Sequence, residues 1–354
     1  MKNSNNRLVG LDFAYLLAMV GTFVYIYALT FDTRMIGFLS HYKFSVYLDF
    51  FPAFFLFING FTISLSLRNS RVSVRKILSY INRRGLILMV LGLLICGTWN
   101  MNLMVLCGAM YVLAALIARW NNNVIMVIMI LLMSGAHAML MLGVPTSVTF
   151  VAPNIEKGVI QLLRFLFFNG YFSILPWSMF FLGGLLFGRE DVRPRGVLPP
   201  SSIFGCVLIV LAFVAEKYLN LFDVDFNPYS RINPAFLNTK FALSGFIFLG
   251  MGLSIVALNL LTYLFRKGSG GTVDNWVQQI SSTKYSAIFL HSLLGFIFLK
   301  ISNVHFFHPL PVRIVMIVVT VPLIFIGLTY WKKKVNKIGP IEFVIKRLSD
   351  SNKK

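Results

Sequence analysis

Windows of about 20 consecutive apolar residues recur from one end of this chain to the other, and each is long enough to cross a hydrocarbon core of about 30 Å. A chain built this way must satisfy its backbone N–H and C=O groups inside each segment, which leaves helices as the spanning element. Ten spans read from the sequence: 8–30, 47–67, 85–99, 102–118, 124–144, 172–187, 200–219, 241–265, 285–301 and 309–330. The composition agrees, with 57% hydrophobic and 12% charged residues over 354 positions, outside the range of soluble domains. The expected fold is therefore all-α, a polytopic membrane bundle of about ten transmembrane helices.

Ten spans put both termini on one side, and the charges test which side that is. Lys and Arg gather in the termini and the even-numbered loops: Lys2 and Arg7, then Arg68 to Arg84, then Arg119, Arg189 to Arg195, Arg266 to Lys284, and the run after Trp331. By the positive-inside rule these segments, and so both termini, are expected in the cytoplasm. The same placement accounts for most of the +20 net charge. Basic residues at membrane boundaries orient helices and meet anionic headgroups, so no nucleic-acid partner is expected and membrane lipid is.

Residues 1–331 are expected to form one transmembrane domain, and 332–354 a basic cytoplasmic tail that alternates apolar and basic residues along the inner leaflet. The apolar stretch after Lys2 and Arg7 is longer than a signal-peptide core and no small-residue cleavage pattern follows it, so it is expected to stay as the first helix. In the outer segment 154–169, Ile155, Val159, Leu162, Leu163 and Leu166 recur at helical spacing and predict a helix at or in the outer interface. Cys96, Cys107 and Cys206 fall inside helices, form no CxxC or Cys/His cluster and are expected to be buried packing residues. No Walker loop, dinucleotide fingerprint or HExxH occurs, and no metal is expected.

Polar residues in or beside the spans are the candidate functional groups, because a titratable side chain there is costly to keep. Asp12 is expected to pair with Arg83 or Arg84. In HYKFSVYLDFFPAFFLFINGFTISLS, His41 precedes Asp49 by eight residues, and Asp49, Pro52, Leu56, Asn59, Ile63 and Ser66 continue along one helical face. A face carrying Asp, Asn and Ser through the bilayer should look toward protein or a cavity. A carboxylate behind an imidazole fixes its tautomer and raises its basicity, so His41 and Asp49 suit general-base work on a hydroxyl or amine. His291 lies about 10 Å into the ninth span, placed either to bond a neighbouring helix or to do chemistry. His137 reads as a packing residue of the fifth span, and His305 and His308 as solvated. Gly184 and Gly188 form a small-xxx-small pair for close helix packing.

The series RLVGLDFAYLLAMVG, His41, LDFFPAFFLFINGFTISLSL, RRGLILMVLGLL, ILPWSMFFLGGLLFGR and STKYSAIFLHSLLG resembles the heparan-α-glucosaminide N-acetyltransferase family and its bacterial membrane relatives, a group of transmembrane acyltransferases. The order of these regions along the chain carries the resemblance. The family pattern in the first helix is Leu-Asp-x-x-Arg, and this chain has Leu11, Asp12, Phe13, Ala14 and Tyr15, so the arginine is absent. The first helix also lacks the outer-end histidine of the acyltransferase-3 branch, which favours the branch whose catalytic residue is the loop histidine.

The resemblance implies an integral membrane acyltransferase that moves acetyl from cytoplasmic acetyl-CoA to a sugar hydroxyl or amine of a glycan or glycolipid at the outer face. His41, oriented by Asp49 and joined by His291, is the expected catalytic set, either as general base or as acyl carrier. Coenzyme A brings phosphates, for which RNSRVSVRKILSYINRR offers Arg68, Arg71, Arg75, Lys76, Arg83 and Arg84, while Asn59 lines the route through the bundle. The competing class is a transporter, flippase or polymerase for a lipid-linked glycan, and oligomeric state stays open.

Overall fold

The computed structural model describes residues 8–30, 44–69, 72–96, 103–141, 166–167, 172–190, 199–221, 243–266, 271–301, 310–336 and 338–350. Among the described residues the chain forms twelve helices and no strand: α1 Val9–Thr30, α2 Phe44–Asn69, α3 Val74–Cys96, α4 Leu103–Ile117, α5 Asn122–Met141, α6 Ile174–Phe187, α7 Pro200–Leu221, α8 Leu243–Leu264, α9 Thr272–Ser281, α10 Lys284–Ile301, α11 Leu310–Lys334 and α12 Pro340–Asp350. Ten of them coincide with the expected spans. Four contain stretches long and apolar enough to cross a membrane: Val9–Ile26, Phe50–Asn69, Val74–Leu94 and Gly245–Leu264.

α2 is the central helix. Every residue from Pro52 to Phe61 is buried, and α1, α4, α6 and α8 pack around it. Small residues allow the closest approaches. A Cβ on Gly184 of α6 would collide with the Phe57 carbonyl oxygen, one on Gly60 of α2 with that of Phe181, and one on Gly188 with that of Phe61. The predicted Gly184 and Gly188 pair thus seats α6 on α2, backbone against backbone. α3 and α4 form a second such pair, in which a Cβ on Gly85 would stand 2.7 Å from the Gly108 carbonyl oxygen. Large apolar residues face outward from several helices, as with Leu94 (71% exposed) and Ile326 (70%), a surface suited to lipid and not to water.

Three expectations change at this scale. The third span begins eleven residues before the predicted Gly85, because α3 starts at Val74 and the cation-rich stretch read as a loop is mostly helix. Cys107 is buried as expected, but Cys206 is exposed on α7. The tail past residue 332 contains an ordered helix, α12, whose Ile341 and Ile345 are buried against the bundle while Phe343, Val344 and Leu348 are exposed. Segment 154–169 lies outside the described residues except for Leu166, which is buried, and Phe167.

Candidate functional site: a donor-rich cluster among five helices

α1, α2, α3, α4 and α10 meet near the end of the bundle at which α1, α3 and α10 begin, about 9 Å along α1 and at the first residues of α10. Each contributes one polar residue or more, and Asn59 of α2, fully buried, is the hub. Its amide nitrogen donates to the Phe55 carbonyl oxygen at 2.7 Å, which turns Oδ1 toward the other helices. Four donors converge on that oxygen: Lys284 Nζ at 2.9 Å, Tyr285 OH at 3.0 Å, Tyr111 OH at 3.1 Å and Tyr15 OH at 3.4 Å. All three hydroxyls have further partners. Tyr285 OH donates to Tyr111 OH at 2.7 Å, and Tyr15 OH stands 2.9 Å from Thr62 Oγ1.

An amide oxygen offers two lone pairs, which Lys284 and Tyr111 can fill while Tyr285 donates to Tyr111 and Tyr15 to the Ile58 carbonyl oxygen at 3.3 Å. The remaining donor capacity lies with the cations. Lys284 Nζ sits 3.6 Å from the centre of the Tyr15 ring and 5.4 Å from that of Tyr285. The Arg84 guanidinium lies over the Tyr285 ring at 4.8 Å and the Tyr111 ring at 5.3 Å, and its buried Nε has no hydrogen-bond partner among the described residues. Ring faces attract cations but carry no net charge. Of the two nearby acids, Asp12 accepts from Ser281 Oγ at 2.5 Å, and Glu342 accepts from the Tyr285 and Ser286 N–H groups. The cluster is rich in donors and positive charge and poor in acceptors, which is the complement of an anionic or carbonyl group.

Asn59 and Arg84 belong to the cluster. His291 is fully buried about two turns inward, about 10 Å along α10 from Lys284, with its ring stacked on Phe23 at 4.3 Å and 14°. Arg68, Arg75, Lys76 and Arg83 lie outside the hub. Arg68 is exposed at the end of α2 and donates to the Glu190 carbonyl oxygen at 2.6 Å, while Arg75 and Lys76 are exposed on the first turn of α3, about 13 Å along the axis from Arg84. His41 and Arg71 lie outside the described residues, as do the side chains of Asp49 and His137. Asp12, expected to pair with Arg83 or Arg84, accepts from Ser281 Oγ, and Arg84 lies over aromatic rings.

Lys284, Tyr15, Tyr111 and Tyr285 were not legible as site residues. Lys284 reads as one more boundary cation, and Tyr15 and Tyr111 fall inside expected spans where nothing marks their hydroxyls. One signal was available at Tyr15, which occupies the position where the resembled pattern has arginine. In the fold its ring receives a cation from α10, so positive charge reaches this place from another helix. A search against family models, curated proteins and solved structures finds no match to the chain.

Proposed function

We propose that this protein is an integral membrane acyltransferase, with both termini in the cytoplasm, that transfers acetyl from acetyl-CoA to a sugar hydroxyl or amine of a glycan or glycolipid at the outer face. One observation carries the reading. Of the separated regions behind the acyltransferase resemblance, RLVGLDFAYLLAMVG supplies Tyr15, LDFFPAFFLFINGFTISLSL supplies Asn59, RRGLILMVLGLL supplies Arg84 and STKYSAIFLHSLLG supplies Lys284 and Tyr285, and these five residues meet in one buried cluster.

The chemistry suits an acyl donor arriving from the basic end. Arg84 and Lys284 offer charge to a phosphate or to the oxygen of a polarised thioester carbonyl, and the tyrosine hydroxyls offer further donors in a place where water is excluded. His291 stands further along the bundle on the same helix as Lys284, toward the end where α2 begins and His41 precedes it. In this reading the thioester end of acetyl-CoA reaches inward past the cluster, and His41 with Asp49 removes the acceptor's proton as its oxygen or nitrogen attacks the thioester carbon, the C–S bond breaks and the thiolate leaves, protonated, as coenzyme A.

Membranes carrying the protein, incubated with labelled acetyl-CoA, should transfer label to a glycan or glycolipid. His41→Ala and Lys284→Met should each lower transfer by about a hundredfold or more. Wild type that consumes no acyl-CoA yet moves a lipid-linked glycan across the bilayer would place the protein among transporters instead.

A further inference from the structure

The first turn of a helix leaves N–H groups that no residue of that helix can satisfy. α10 begins at Lys284, and its first two residues are the cluster's Lys284 and Tyr285. Thr283, a residue type that often caps a helix, does not cap this one: its hydroxyl donates back to the Ile280 carbonyl oxygen at 2.9 Å. The cap comes instead from α12. Glu342 Oε1 accepts from the Tyr285 N–H at 2.7 Å and the Ser286 N–H at 3.2 Å, Ser286 Oγ donates to Glu342 Oε2, and the Ile341 N–H donates to Ser286 Oγ at 2.9 Å. A carboxylate at a helix N-terminus also meets the positive end of the helix dipole. Nearby contacts brace the same corner, with Lys332 Nζ donating to Ser282 Oγ at 2.6 Å and Trp331 Nε1 to the Ile338 carbonyl oxygen at 3.0 Å.

We infer that α12 is a positioning element of the donor cluster and that Glu342 is its positioning residue, holding the first turn of α10 so that Lys284 and Tyr285 reach Asn59. Tyr285 joins the two sites directly, since its N–H is held by Glu342 while its hydroxyl contacts Asn59 and Tyr111. Gly339 is part of the device. A Cβ there would fall on Glu342 Oε2 and stand 2.6 Å from Ser286 Oγ, so Gly339→Ala displaces the carboxylate without altering it. The assignment rests on the reading of the cluster as the functional site, but its test needs no acyl donor.

Cys107 is fully buried on α4, one turn before Tyr111, and reports whether the cluster is closed. In a Cys96→Ala, Cys206→Ala background it is the sole thiol, and its alkylation by N-ethylmaleimide can be timed in native membranes. Glu342→Ala and Gly339→Ala should each speed alkylation about tenfold, while Glu342→Gln, which keeps an acceptor for the two N–H groups, should fall between wild type and alanine. Acetyl-CoA-dependent thiol release should fall in the reverse order, lowest in the two alanine variants and highest in wild type. Alkylation of folded Glu342→Ala at the wild-type rate would overturn the inference; if that variant does not fold, an unchanged rate in Gly339→Ala overturns it. Faster alkylation in a protein that consumes no acetyl-CoA would keep the positioning role and remove the acyltransferase reading alone.

Discussion

Asn59 holds together a group of side chains that would repel or starve one another without it. Its Oδ1 is the acceptor shared by Lys284 and three tyrosine hydroxyls, so Asn59→Leu leaves buried donors unsatisfied and should lower stability by about 2–4 kcal/mol, measurable as a drop in melting temperature in detergent. Lys284→Met should act the other way. It removes a buried cation whose contacts are one amide oxygen and two rings, and keeps similar volume, so the fold should melt at the same or a higher temperature while activity is lost. A residue kept against stability is one kept for use. Asn59 was readable in the sequence because it lies on a polar face running through an apolar helix. The tyrosines were not, since a tyrosine's ring satisfies hydropathy and only the fold shows where its hydroxyl goes.

At the scale of elements, α2 and α6 depend on backbone contact across Gly60 and Gly184. Gly184→Val should separate the two helices and cost more than about 3 kcal/mol or prevent folding, whereas Gly135→Ala and Gly327→Ala, where a Cβ would meet nothing within 4 Å, should be neutral in the same melting assay. Here the Gly184 and Gly188 pair was legible and its partner helix was not. Helix limits were harder for a physical reason. Hydropathy locates the apolar part of a helix, while the backbone continues helical wherever exposed cations such as Arg75 and Lys76 can stay in contact with water, which is why α3 begins at Val74. Cys206 shows the related difficulty. In a bilayer the lipid-facing and core-facing sides of a helix are both apolar, so composition does not tell an exposed cysteine from a buried one.

The whole molecule is organised around an end of the bundle where basic residues, the donor cluster and α12 gather. The helical architecture of the described residues and the places of the apolar helices were legible, because a bilayer permits few alternatives to long apolar helices. The coming together of α1, α2, α3, α4 and α10 was not, since pairing of distant helices depends on small-residue contacts that one sequence does not mark. The central claim is that this cluster receives the anionic or carbonyl part of an acyl donor. It is tested most directly by thermal unfolding of the purified protein with increasing acetyl-CoA, because a ligand that binds only the folded state raises its stability with the logarithm of one plus its concentration over Kd. The melting temperature of wild type should rise with acetyl-CoA, and Arg84→Gln and Lys284→Met should abolish the rise while remaining folded. A wild-type melting temperature that stays flat at saturating acetyl-CoA, or a rise of equal size in both variants, would contradict it.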